Sequence, residues 1–189
     1  MTRLTAPIAL AATLATTTPV TTLKAQAPAV VAPADSVRAR REDVATADAL
    51  IAALYDVISG PAGQKRDWNR FRSLFAPQAK LIPTAVRQDG SAVLTPLTVE
   101  EYITRAGASL EKMGFFEVEI GRNTEQFDRV MHAFSAYASR RNATDAEPFS
   151  RGINSIQLFN DGTRWWVVNI FWGAERPGAL IPREMVRRN

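Results

Sequence analysis

Cysteine is absent from the 189 residues, and histidine occurs once. The first absence excludes disulfides, thiolate nucleophiles, cysteine metal sites and a lipoprotein cysteine. The second leaves His132 as the only imidazole, which is too little for a transition-metal site. Acidic residues do not cluster at the spacing of a loop that binds a hard cation, so no metal and no cofactor is expected. Charge of one sign is also scarce. The formal net charge is +4, from 23 basic and 19 acidic residues. That surplus is small and scattered, which argues against nucleic acid as a partner. What is present is ordinary for a soluble globular protein: 46% hydrophobic and 22% charged residues. One domain with extensions is the expectation at this length.

The N-terminus reads as an export signal. Arg3 opens a weak basic region, Pro7 to Ala15 is a short apolar core, and Ala25-Gln26-Ala27 has the small-x-small form of a cleavage site. Ala29 is a rival, since Pro28 hinders cleavage before it. The apolar core is too short and too rich in Thr to span a bilayer, so the mature chain should hold no stable membrane span. A disordered Ala/Thr/Pro tail is the other reading. Residues 1–27 are thus expected to be a signal peptide, 28–42 a Pro/Ala-rich linker, 43–176 the folded domain and 177–189 a tail packed on it. A periplasmic or secreted location follows.

The segment Arg151 to Trp172 reads as two strands joined at Asp161-Gly162. With a two-residue loop, Leu158 lies opposite Trp165, Ile156 opposite Val167 and Asn154 opposite Asn169. A period of two then sets Trp165, Val167, Asn169 and Phe171 on one face and Trp166, Val168, Ile170 and Trp172 on the other. A three-residue loop would reverse the relative facing.

Upstream, Leu50, Ile51, Leu54, Val57 and Ile58 fall at helical spacing, in a helix that begins between Asp43 and Asp48 and stops at Gly60-Pro61. Asp67 can cap a second helix carrying Trp68, Phe71, Leu74 and Phe75, which Pro77 ends. Ala79 to Pro83 is a short strand. Thr98 and Glu101 make a capping-box pattern for a third helix that stops at Gly114. Phe116, Val118 and Ile120 then alternate with Glu117 and Glu119, a strand with one wet face. Arg129 to Arg140 is another, with His132, Phe134 and Ala136 on one side and Ala133, Ser135 and Tyr137 on the other. Three helices followed by four antiparallel strands is an α+β order.

That order, with Gly162-Thr163-Arg164-Trp165-Trp166-Val167-Val168 and Ala133-Phe134-Ser135-Ala136-Tyr137, resembles the SnoaL-like, ketosteroid-isomerase-like members of the nuclear transport factor 2-like superfamily. The likeness covers about Asp43 to Glu175. It implies a cystatin-like, cone-shaped roll: three N-terminal helices packed on a strongly curved antiparallel sheet around a pocket. It also implies frequent dimers through the outer sheet face. The isomerases carry an Asp or His base and a Tyr or Asp donor. No acidic residue lies on the inward face assigned to the last hairpin, so this chain departs from that set.

Candidate site residues follow from these assignments. His132 is the candidate general base, since its pKa lies near neutrality; the competing reading is a packed structural residue. Tyr55, Asn154, Trp165 and Asn169 are candidate ligand contacts, against readings as core tyrosine, mutual Asn–Asn bridge and core wall. The band Trp166, Val168, Ile170 and Trp172 is too large to leave wet, and a homodimer is expected to cover it unless the C-terminal tail does. The functional expectation is an exported module binding a small, mostly apolar ligand. Alternatives are an isomerase- or dehydratase-type enzyme using His132, and a dimeric interaction domain with a vestigial pocket.

Overall fold

The computed structural model describes residues 38–186. The signal peptide, its cleavage site, most of the linker and the last three tail residues lie outside them.

Helices come first. A short helix, α1 (Arg41–Val44), precedes the expected one and ends before Thr46, whose side chain caps α2 (Ala47–Ile58) by accepting from the Ala49 N–H. Leu50, Ile51, Leu54 and Val57 are buried along α2, as their spacing requires. Asp67 caps α3 (Trp68–Ser73), and Phe75 already belongs to the next strand. In α4 (Val99–Met113) the capping box forms in full: Glu101 accepts from the Thr98 N–H and Thr98 accepts from the Glu101 N–H.

One buried arginine ties the helix ends together. The Arg66 guanidinium donates to the Ile58 and Gly60 carbonyls at 2.9 and 2.6 Å and to the Leu110 carbonyl at 3.2 Å. It thereby satisfies carbonyls at the C-terminal ends of both α2 and α4, which have no partners within their own helices.

Among the described residues the sheet has six strands: β1 (Phe75–Val86), β2 (Ala92–Leu94), β3 (Phe116–Phe127), β4 (Val130–Arg140), β5 (Ser150–Asn160) and β6 (Trp165–Ala174), in the order β2-β1-β6-β5-β4-β3. The fold is α+β, as expected, but the sheet is mixed rather than antiparallel throughout. β1 is long, and it runs parallel to β6. Pro77 does not end the ordered segment. It sits in an irregularity between Phe75 and Lys80, where a residue without an N–H is tolerated and Gln78 takes a φ of 65°.

Two corrections concern the last hairpin. Its loop has four residues, since Asn160 pairs with Trp165. The Asp161 carboxylate accepts from the Thr163 and Arg164 N–H groups at 2.7 and 2.9 Å and from the Trp166 indole at 2.7 Å. These bonds organise a longer loop than Asp-Gly alone implies. Further along, Leu158 pairs with Val167 but Gln157 pairs with Asn169, so Val168 is an extra residue in β6. The bulge reverses the facing of everything after it. Ile170 and Trp172 turn toward the helices, and Asn169 turns away.

The outer face is correspondingly different from the expected band. Trp166 and Val168 remain there, joined by Phe134, Phe159 and Phe171. The C-terminal segment covers one part of it, with Ile181 and Met185 buried against Ala136, Ile120 and Ile153.

Tyr137 on β4 lies opposite Gly152 on β5. A Cβ at Gly152 would run into the Tyr137 hydroxyl and the Gly173 carbonyl. Gly152→Ala should therefore cost about 1–3 kcal/mol by overpacking, read from the midpoint of urea unfolding. An unchanged midpoint would contradict this packing.

Candidate functional site

Helices α2, α3 and α4 do not fill the space against the concave sheet. A cavity of about 210 Å³ remains, with Leu54, Phe71, Leu81, Phe115, Ile156, Ile170 and Trp172 among its apolar walls. Its polar groups are Tyr55 from α2, Tyr102 from α4, Glu117 from β3, Tyr137 from β4 and Asn154 from β5.

The register explains why these groups meet. Asn154 lies opposite Ser135 and Trp172, and Tyr137 lies between Glu119 and Gly152. Ser139 lies between Glu117 and Ser150. These residues share the parity of Ile156 and Ala133, both buried in the core, so all point inward. Glu117 and Glu119 are therefore on the helix side of β3. Val118, from the apolar set, is on the outside and 47% exposed. The wet face expected of this strand is the inward one.

Tyr55 stands at the centre of the polar wall. Its hydroxyl is 2.7 Å from the Ser135 hydroxyl and accepts from the Asn154 amide at 3.1 Å. Ser135 in turn donates to Glu119 at 2.5 Å. Glu119 pairs with Arg122 at 3.3 Å, and Arg122 with the exposed Asp48 at 2.7 Å. A continuous chain of polar contacts thus runs from the cavity to the surface. A bulge between Glu119 and Gly121 places both Glu119 and Arg122 on the inner side.

Glu117 accepts from the Ser139 hydroxyl at 2.7 Å. Burial pushes its carboxyl up to about 6, against the pull of Ser139 and of the neighbouring Asn154 amide. Burial also holds the hydroxyls of Tyr55 and Tyr102 well above their ordinary value and pushes Tyr137 up to about 12, and the charge of Glu117 adds to all three shifts. A carboxylate poised near neutrality inside an apolar cavity has the properties of a general base or of a counter-ion.

The sequence-derived candidates separate cleanly. Tyr55 and Asn154 are on the cavity wall, in contact with each other. Trp165 is buried in the core but does not line the cavity. Asn169 sits beside Gln157 and Lys80 on the opposite face of the sheet, so the Asn154–Asn169 pair does not exist. His132 is on that outer face too, with its Nε2 2.9 Å from the Ser155 hydroxyl and its ring 5.9 Å from that of Phe134. The sheet separates it from the cavity, so it cannot act as a base there. Glu117, Glu119, Ser135 and Tyr102 were not singled out from the sequence. The signal that would have found the two glutamates is the inward set of β4, where Ser135 and Ser139 are polar among Ala133 and Tyr137 and call for polar partners on β3. Among the described residues, no three His, Asp or Glu side chains gather as metal ligands.

A solved structure from Nostoc punctiforme PCC 73102, described as a protein of unknown function with a cystatin-like fold, superposes with a TM-score of 0.51 at 13% identity, over 67% of this chain and 86% of its own. This chain has the cystatin-like fold. That is the fold the resemblance to nuclear transport factor 2-like proteins implies. An NTF-2 like protein of unknown function from Silicibacter pomeroyi DSS-3 aligns over 69% of this chain and 94% of its own, at 12% identity and a TM-score of 0.47. No protein-family model and no curated protein matches the sequence. The cystatin-like scaffold fixes the cavity's place and leaves its chemistry to the side chains.

The raised carboxyl of Glu117 has a stability consequence. Its ordinary value is 4.5 and its folded value about 6. Below the lower value both folded and unfolded chains hold the proton. Between the two, only the folded chain does, so stability falls as pH rises, and above about 6 the loss is complete. The loss is on the order of 2 kcal/mol. Glu117→Gln should accordingly raise the melting temperature of the ligand-free protein by about 4 °C at pH 8 and leave it nearly unchanged at pH 4, as followed by circular dichroism.

Proposed function

We propose that this chain is an exported binding module for a small, mostly apolar molecule with one polar end. The observation that carries the reading is the cavity itself: about 210 Å³, walled by aliphatic and aromatic side chains, with Tyr55, Glu117 and Asn154 converging on one side. An engineered apolar cavity of ~150 Å³ holds benzene, so this space suits a one-ring compound with a small substituent. The polar end of such a ligand meets Glu117 and Tyr55, and its body packs against Trp172, Ile170 and Phe115. Export rests on the leader-like N-terminus, and the mass of the chain recovered from the periplasm or medium tests it.

The test of the cavity uses benzyl alcohol as probe. It should raise the melting temperature of the wild-type protein by mass action. Ile170→Trp, which fills the cavity from its wall, should melt cooperatively and no longer respond. Equal responses in the two proteins would end the cavity reading.

A second reading concerns the outer face. Phe134, Phe159, Val168 and Phe171 are each 38–41% exposed on the outer side of β4, β5 and β6. A second copy of the chain seated there would remove this apolar surface from water. Val168→Glu should then halve the mass measured by light scattering at micromolar concentration. A wild-type protein that already runs at monomer mass would exclude the dimer.

A further inference from the structure

The direction of the hydrogen bonds in the polar wall limits what the cavity can hold. The Glu119 carboxylate accepts from Ser135, which commits the single Ser135 proton outward. Ser135 can then only accept from Tyr55, so the Tyr55 proton is committed as well. The Tyr55 oxygen already takes one N–H from Asn154 and meets the cavity with its remaining lone pair. Glu117, whose Oε2 takes the Ser139 proton, also meets the cavity as an acceptor. Tyr102 and Tyr137, the other hydroxyls on the wall, can each donate or accept and do not discriminate.

Charge narrows the choice further. Among the described residues, no Lys or Arg forms an ion pair with Glu117; the arginine on the same strand, Arg122, is engaged by Glu119 and Asp48. A carboxylate on the wall of a largely apolar cavity without a counter-ion is costly to keep ionised. Tyr55, Tyr102 and Tyr137 all feel its charge, and Phe115 and Trp172 complete the aromatic walls. Aromatic faces attract organic cations and do nothing comparable for anions.

We propose that the ligand of this cavity is a small organic amine in its protonated form, with the ammonium group on Glu117 and the Tyr55 oxygen and the apolar body among Tyr102, Phe115 and Trp172. This rests on the reading of the cavity as a ligand site and specifies its chemistry. It sets the site apart from one built to hold an oxyanion, which would present N–H or O–H donors to the ligand. Binding forms no covalent bond. It supplies the cation that Glu117 lacks.

The test compares three probes of one shape on the full chain by calorimetry: benzylamine, benzyl alcohol and benzoate. At pH 7.5 benzylamine should bind about tenfold more tightly than benzyl alcohol or better, and benzoate most weakly. The advantage of benzylamine should fade as pH falls through about 6, where Glu117 takes up a proton while the amine stays charged. Glu117→Gln should reduce benzylamine to the level of benzyl alcohol. The pH series on the wild-type protein carries the same information without a variant. Benzyl alcohol binding as tightly as benzylamine would overturn the amine assignment and leave the cavity reading intact. Failure of all three probes to bind would overturn both. Benzylamine affinity that is unchanged in Ile170→Trp would place the amine elsewhere and also overturn the assignment.

Discussion

One extra residue in β6 decides what faces the interior. Val168 has no partner of its own on β5, and every side chain beyond it is turned over relative to a regular strand. Without the bulge, Asn169 and Phe171 would point at α2 and α4, and Ile170 and Trp172 would point away. With it, Trp172 stacks edge-on to Tyr102 at 6.2 Å between ring centres, and Ile170 joins Ile156 and Leu81 on the cavity wall. The neighbouring strand bends at the same level, where β1 skips from Phe75 to Lys80 along β6. The two irregularities together let a parallel strand join a hairpin without exposing the core.

The polar part of the cavity depends on a second bulge, at Glu119 to Gly121 in β3. It allows Glu119 and Arg122 to share the inner face, where they neutralise each other. Glu119 is thereby free to fix the proton order of Ser135 and Tyr55. Glu117, two residues earlier, has no such cation among the described residues and lines the cavity. Two carboxylates on one strand face thus differ because one is paired with an arginine and the other is buried on an apolar cavity wall.

Much of the scaffold was legible in the sequence. The Thr98–Glu101 box, the α2 stripe, the Asp67 cap and the strands from Phe116 onward are local signals, and each holds in the structure. What was not legible is parity. A bulge leaves no trace in the period of a strand that is apolar on both sides, as Trp165 to Trp172 is. The Asp161 carboxylate lengthened the loop through bonds that a dipeptide rule ignores. The β3 strand misled for a different reason. The alternation of Phe116 and Val118 with Glu117 and Glu119 implies that the acidic face meets solvent, yet it lines the polar side of the cavity. Tyr55 and Asn154 were reachable, since both are polar groups amid apolar periods. Glu117 was not, because its role appears only when β3 and β4 are set in register.

Arg66 gives the cavity a mechanical character. One guanidinium closes the carbonyl ends of α2 and α4 at once, with Glu111 accepting from the Arg66 and Trp68 N–H groups alongside. The two helices that roof the chamber are therefore clamped at the same end, and prising them apart there would strand a buried positive charge. The roof is a fixed vault at that end, so any opening of the chamber would have to come from side chains or from the far ends of the helices.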